Sequence, residues 1–368
     1  MTFQNAGHGY SRRNVLKLAG LAAGAAIAPT ACSQIASSQG KVEAPQTAEF
    51  TPAPTELAGS PVEPSPTSNV SRVVLVRTDD RVAGTRNALD LLQPDGISGQ
   101  TVFIKPNYNT ADPPPASTDT ALLEALIQEL QAAGAGQMTI GDRSGMADSR
   151  QTMMTKGAFD LADRYGLNAI VLDELDAENW QYFDASGTHW QYGFAFAQPI
   201  LNAGAIVNAC CLKAHRFGGH FTLSLKNTVG MVARYVPGDP HDYMAELHSS
   251  PDQRLMIAEI NKAYEPAIVL LDGVEAFING GPEAGDVVTP GVILAGTDRV
   301  AVDVVALGVL RMFNPTPEIA QGSVWDLEQI RRAVELQIGA TSDQQIEIIT
   351  ADATSQAMAD EVRSLIIA

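Results

Sequence analysis

The chain has 368 residues, 45% of them hydrophobic, which is enough apolar side chain for a sizeable core and excludes a disordered or fibrous protein. Its formal charge is −18, and it becomes −21 without the first 31 residues, which carry Arg12, Arg13 and Lys17 and no acid. A body this acidic repels phosphate backbones and anionic membrane surfaces, so no nucleic acid partner is expected.

The first element in the chain is an address. "SRRNVLK" at 11–17 precedes "LAGLAAGAAIA", an Ala/Gly stretch too short and too weakly apolar to span a membrane. The segment resembles a twin-arginine (Tat) export signal, with Leu16 and Lys17 fitting that pattern and Val15 standing where phenylalanine is common. The resemblance implies a passage through the Tat machinery to the periplasm or cell envelope. "PTAC" at 29–32 resembles a lipoprotein box with Cys32 as the lipidated residue, although Pro29 stands where leucine is usual. Ordinary cleavage after Ala28, at the small-x-small run "AIA", is the alternative. Membrane contact is then expected only through this N-terminal anchor. Residues 32–70 are rich in Pro, Ser, Thr and Ala with no sustained apolar period, and are expected to form a disordered tether. The partition is a signal at 1–31, a tether at 32–70 and an α/β domain at 71–368.

From Ser71 onward, short β-branched runs alternate with longer amphipathic stretches, the pattern of a parallel sheet with helices on its faces. Strands are predicted at 72–77, 101–106, 137–142, 168–173, 205–210, 267–273, 291–296 and 346–350. Helices are predicted at 82–92, 119–133, 151–165, 222–234, 252–263, 298–312, 325–337 and 355–366. The fold class is therefore α/β, mostly parallel with helices on both faces. Two lobes are one form it can take, and a cleft is expected at the C-terminal ends of the strands. The adjacent Cys210 and Cys211 read as core residues on opposite faces of a strand. The only other cysteine is Cys32, so there is no CxxC spacing and no iron–sulfur cluster is expected.

Polar residues gather where the predicted strands end. "FIKPN" closes on Lys105 and Asn107, "TIGDRSG" on Asp142, Arg143 and Ser144, "NACCLKAH" on Lys213 and His215, and "LLDG" on Asp272. Lysine is scarce, with seven in the chain and five beyond residue 70, and three of those five sit beside an apolar strand or in "KAHRFGGHFTLSLKN". A lysine in such surroundings needs a counter-charge or a ligand to offset its desolvation.

These motifs, in this order, resemble the domain of unknown function DUF362. The resemblance runs over roughly 100–312 and rests on "KPN", "GDRSG", "LKAHRFGGHFTLSLKNTVG", "LLDGVEAFINGGPEAGD" and "GTDRVAVD". Many relatives add a ferredoxin-like segment of CxxC units that this chain lacks. The family implies no activity, so the chemistry has to come from the residues.

In the "KAHRFGGHFTLSLKN" segment, Gly218 and Gly219 allow a close backbone approach to a ligand. A helix from about Thr222 would point free amides at the turn, with Arg216 adding charge. The expected site takes a small carboxylate or phosphate ester. Lys105, Asn107, Ser144, Lys213, Asn227 and Asp272 bind it, and His215, Lys226 and Asp142 do the proton chemistry, with Asp142 and Asp272 orienting His215 or Lys226. A non-catalytic binding or accessory protein is the other reading. A structural role for Lys226 and Asn227, bracing a loop through buried ion pairs, stays open beside both. The cofactor is left open. A metal is possible through His215, His220 and His241, but the spacing of the first two matches no helical pair and no HExxH motif occurs.

Overall fold

The structure, a computed structural model, describes residues 70–367. The export signal, Cys32 and all but the last residue of the tether lie outside the described residues. Twelve strands occur among the described residues: β1 (Ser71–Arg77), β2 (Val102–Lys105), β3 (Met138–Asp142), β4 (Asn168–Val171), β5 (Trp180–Phe183), β6 (Phe194–Ala197), β7 (Ala205–His215), β8 (His220–Thr222), β9 (Ile268–Phe277), β10 (Val287–Val288), β11 (Val292–Gly296) and β12 (Ile346–Ile349). Ten of them form one continuous sheet with the order β12-β1-β11-β9-β7-β2-β3-β4, β8 adding to β7 and β10 to β9. Along that path only the two contacts of β11 are antiparallel.

The sheet is buried on both faces, and strand alternation divides the core. On one face Val73, Leu75, Leu212 and Leu271 pack against the helix Arg299–Arg311 and the helix Ala353–Ile366. On the other, Val74, Ile104, Val207 and Leu270 meet the helix Arg81–Leu92 and the helix Thr120–Ala132. A third cluster joins the β5–β6 hairpin, which the sequence pattern does not reveal, to the helix Tyr243–Ser249 and the helix Gln253–Glu259. Cys210 and Cys211 are free and buried, Cys210 directed at Leu270 O and Cys211 at Thr118 Oγ1. Aspartates start the main helices. Asp80, Asp119, Asp298 and Asp352 each accept hydrogen bonds from two backbone amides of the first turn, which puts part of the acidic composition to structural use.

The helix predicted at 222–234 does not form. Thr222 ends β8, and one short helix, Ser224–Asn227, runs into a 3-10 turn, Thr228–Met231. Its first amides are already taken by an anion of the same chain. The buried Asp303 carboxylate accepts from Ser224 N at 2.8 Å, Ser224 Oγ at 2.6 Å and Leu225 N at 3.0 Å. The free helix start expected from about Thr222 therefore does not exist. Residues 221–229 are all buried, so apolar periodicity could not separate helix from turn there.

Candidate functional site

The parallel strands β2, β3 and β7 end side by side, and their terminal residues Lys105, Asp142 and His215 open onto one cavity of ≈ 690 Å³. The Ser224–Asn227 turn brings Lys226 and Asn227 to the same space, and Asn107 and Ser144 complete the wall. Seven of the nine expected site residues thus meet around one hollow.

Lys105 and Asp142 hold each other there. Lys105 Nζ lies 2.6 Å from Asp142 Oδ1, with both side chains 1% exposed. It also donates to Pro106 O at 2.7 Å and Asn227 Oδ1 at 3.3 Å, while Asp142 accepts from Tyr108 N and Arg143 N. Burial pulls the Lys105 ammonium down and pushes the Asp142 carboxyl up, so each needs the other to stay charged. Asp142 therefore orients Lys105, which corrects the sequence expectation that it orients His215 or Lys226. An amide relay runs beside the pair: Asn107 Nδ2 donates to Asn227 Oδ1 at 2.9 Å, and Asn227 Nδ2 donates to Asn208 Oδ1 at 2.7 Å.

Lys226 is the opposite case. It is 8% exposed, lines the cavity and has no carboxylate or hydrogen-bond partner among the described residues. Burial, together with the neighbouring charges of Lys213 and Arg143, lowers its pKa to about 7. His215 is held well below its ordinary value by burial and by Lys226, so it is neutral at physiological pH. Its Nδ1 has no protein partner among the described residues.

The other charges in the wall are accounted for. Asp173 accepts from Ser149 Oγ, Asp242 accepts from Arg234, Tyr235 and Ala245 N, and Asp148 accepts from Gln151 N at its helix start. Arg143 spends its guanidinium on the carbonyls of Val232 and Val229, at 2.8 and 2.7 Å, and so keeps its charge without a carboxylate in ion-pair contact. Asp142 and Asp242 are paired with cations, and Asp173 and Asp148 accept only from neutral donors. The carboxylates of Asp173, Asp142 and Asp242 favour the Arg143 charge from a distance, whereas no carboxylate among the described residues acts on Lys226. Twelve buried polar side-chain atoms lack a protein partner among the described residues, and five of them belong to residues of this cavity's wall: Asn107 Oδ1, Tyr108 OH, Ser144 Oγ, His215 Nδ1 and Thr222 Oγ1. Orphaned buried groups are costly in a finished core, so their concentration here marks a place built to meet another molecule.

Two expected ligands are placed elsewhere. Lys213 donates to Ala116 O and to Pro282 O at 3.2 Å and is not part of the cavity wall. Asp272 bonds Arg81 Nε at 2.8 Å. It sits in mid-strand, because β9 continues to Phe277 past Gly273, where a Cβ would stand 2.8 Å from Val292 Cγ1. Arg216 is bound to Glu283 and Gly281 O and adds no charge to the cavity. The metal candidates also separate. His215 lines the cavity, whereas His241 bonds Glu246 at 2.7 Å among aromatic rings. His220 is the cross-strand neighbour of His215 but is not part of the cavity wall. Among the described residues no group of three or more His, Cys, Asp or Glu side chains is placed to hold a metal ion. Sequence reasoning did not assign Tyr108, Arg143, Thr222 or His248 to the site. Tyr108 and Arg143 adjoin "KPN" and Asp142 directly, and that adjacency is the signal that points to them.

Gly219 forms the wall behind Lys226 and His215. A Cβ there would lie 2.8 Å from Lys226 Cε and 3.1 Å from His215 Nδ1. The obstruction meets the flexible end of a lysine, so Gly219→Ala is expected to change stability by less than about 1 kcal/mol. It should still move the amine and weaken ligand binding about tenfold, measured by calorimetry against the unchanged chain.

The family model described as "Domain of unknown function (DUF362)" matches residues 102–308, a span holding every candidate site residue from Lys105 to Asp272. The thylakoid-associated protein sll1697 of Synechocystis sp. is 26% identical over 255 residues, covering 66% of this chain and 75% of that protein. The lactate racemase apoprotein from Thermoanaerobacterium thermosaccharolyticum has 17% identity and a TM-score of 0.39, over 62% of this chain and 54% of that one, so the match spans about half of its length.

Proposed function

The chain belongs to the DUF362 family, and from that premise we propose that its cavity binds, and transforms, a small anionic ligand, a carboxylate or a phosphate ester. The observation that carries this is Lys226, a buried amine on the cavity wall that no carboxylate among the described residues contacts. Burying a cation unpaired costs several kcal/mol, a cost that an anionic guest removes. In this reading Lys226 and Arg143 supply the charge, while Asn107, Ser144 and Asn227 offer hydrogen bonds. Lys105 and Asp142 brace the wall, Lys213 and Asp272 brace the layer behind it, and His215 moves a proton.

One observation favours binding without turnover. No carboxylate orients His215, since Asp142 is engaged by Lys105 and Asp272 by Arg81. Titration of acetate, pyruvate and inorganic phosphate by calorimetry tests the proposal. At least one should bind, and its affinity should fall as the pH rises through about 7 and Lys226 loses its proton. Lys226→Gln should abolish that binding. If none of the three binds the unchanged chain, the proposal fails. With a turned-over substrate in hand, His215→Gln separates the readings: turnover lost with affinity kept means an enzyme.

The N-terminal segment supports export by the twin-arginine route to the periplasm or envelope, with Cys32 as a lipid anchor. A relative described as thylakoid-associated is compatible with a membrane-side location. No helix among the described residues is long and apolar enough to cross a membrane. Changing Arg12 and Arg13 together to lysine should retain the protein in the cytoplasm, and export unaffected by that change would remove the signal reading.

A further inference from the structure

We infer that Lys226 is a carbonyl-capturing amine, whose Nζ condenses with the keto or aldehyde group of a small carboxylate in the cavity to form an imine. This rests on the reading of the cavity as an anion site and narrows the ligand to a carboxylate that also bears a carbonyl, the 2-oxo acid class.

Geometry separates this lysine from the rest. The other lysine of the cavity wall, Lys105, is held by Asp142, and Lys213 by two backbone carbonyls. Lys226 alone of these faces the cavity with its amine unengaged among the described residues. Its stem runs along the bare backbone of Gly219, which also bounds His215 Nδ1, so the amine and a partnerless imidazole nitrogen share one wall. Thr222, Ser144 and Tyr108, whose buried hydroxyls have no protein partner among the described residues, belong to the same cavity wall. A rotation of the Thr222 or Ser144 hydroxyl into the cavity would offer a donor to the oxygen of a tetrahedral adduct. Arg143 lines the same cavity and adds positive charge near the amine, its guanidinium held by the carbonyls of Val232 and Val229. The displacement of Lys226 to about 7 gives a substantial neutral fraction at physiological pH, the form that attacks.

The step balances without an oxidant or reductant. The nitrogen lone pair adds to the carbonyl carbon, forming C–N, while the carbonyl π pair moves to oxygen. That oxygen takes a proton as nitrogen gives one up, and His215 lies where it can relay it. The second proton of the nitrogen then passes to that hydroxyl, which leaves as water, and the nitrogen lone pair closes the C=N bond.

The test uses the full chain with pyruvate and, separately, glyoxylate, in the presence of cyanoborohydride, followed by peptide mapping. A single reduced adduct is expected on Lys226, forming faster as the pH rises through about 7. Lys226→Arg should drop labelling to background, and mapping of the unchanged chain gives the same answer if that variant does not fold. Binding of pyruvate or glyoxylate by calorimetry with no reducible adduct would overturn the imine and leave the anion site standing. Label spread evenly over Lys156, Lys262 and Lys226 would overturn it too. If neither compound binds, the imine is overturned, and the anion site falls with it only when acetate and inorganic phosphate fail to bind as well.

Discussion

Lys226→Met should make the protein more stable while abolishing anion binding. Methionine keeps the stem and removes a buried, unpartnered cation, whereas replacing a lysine that braces the fold would destabilise it. The sign follows from linkage. The folded pKa of about 7 lies below the ordinary lysine value of 10.5, so protonation favours the unfolded chain. The penalty is complete below about pH 7, shrinks between 7 and 10.5 and is absent above. Its ceiling is on the order of 5 kcal/mol, and relaxation around the amine brings the expected gain to about 2 kcal/mol at pH 7. Thermal melts of both forms should separate by about 4 °C at pH 6 and converge toward pH 10.5. A melt lowered by the change would mean that Lys226 is structural.

The same cavity wall contains the reverse experiment. Lys105→Ala should cost about 3–5 kcal/mol in urea unfolding, because it leaves the Asp142 carboxylate buried without its cation. Changing both together, Lys105→Met with Asp142→Asn, removes the charges as a pair and should recover most of that loss. Gly230 shows how closely the pair is packed, since a Cβ there would stand 2.8 Å from both Asp142 Oδ1 and Lys105 Nζ. A loss under about 1 kcal/mol for the single change would show that the pair is open to water. Two lysines of one cavity thus have opposite expected effects, and the difference is whether a carboxylate stands beside them.

Much of this site was legible because parallel strands end in register. An apolar run followed by Lys-Pro-Asn or Asp-Arg-Ser puts those side chains at the sheet's carboxyl edge, and Lys105, Asn107, Asp142 and Ser144 are all found there. Asp272 escaped that logic because Gly273 looks like a strand end and is instead a point of close packing within β9. Lys213 sits two residues before His215 and so on the same face of β7, but the carbonyls of Ala116 and Pro282 cover it, a contact between segments distant in sequence. For the same reason the sequence could not show that Asp142 belongs to Lys105, or that Asp303 occupies the amides of Ser224 and Leu225. Residue type announces a buried charge. Only the fold names its partner.

The most direct measurement is the titration of Lys226 itself, followed by NMR on protein carrying carbon-13 at the lysine ε position, with and without pyruvate. The account predicts one lysine titrating near 7, assigned by its disappearance in Lys226→Met and displaced by pyruvate. A Lys226 resonance that titrates near the ordinary lysine value of 10.5 and ignores pyruvate would contradict it.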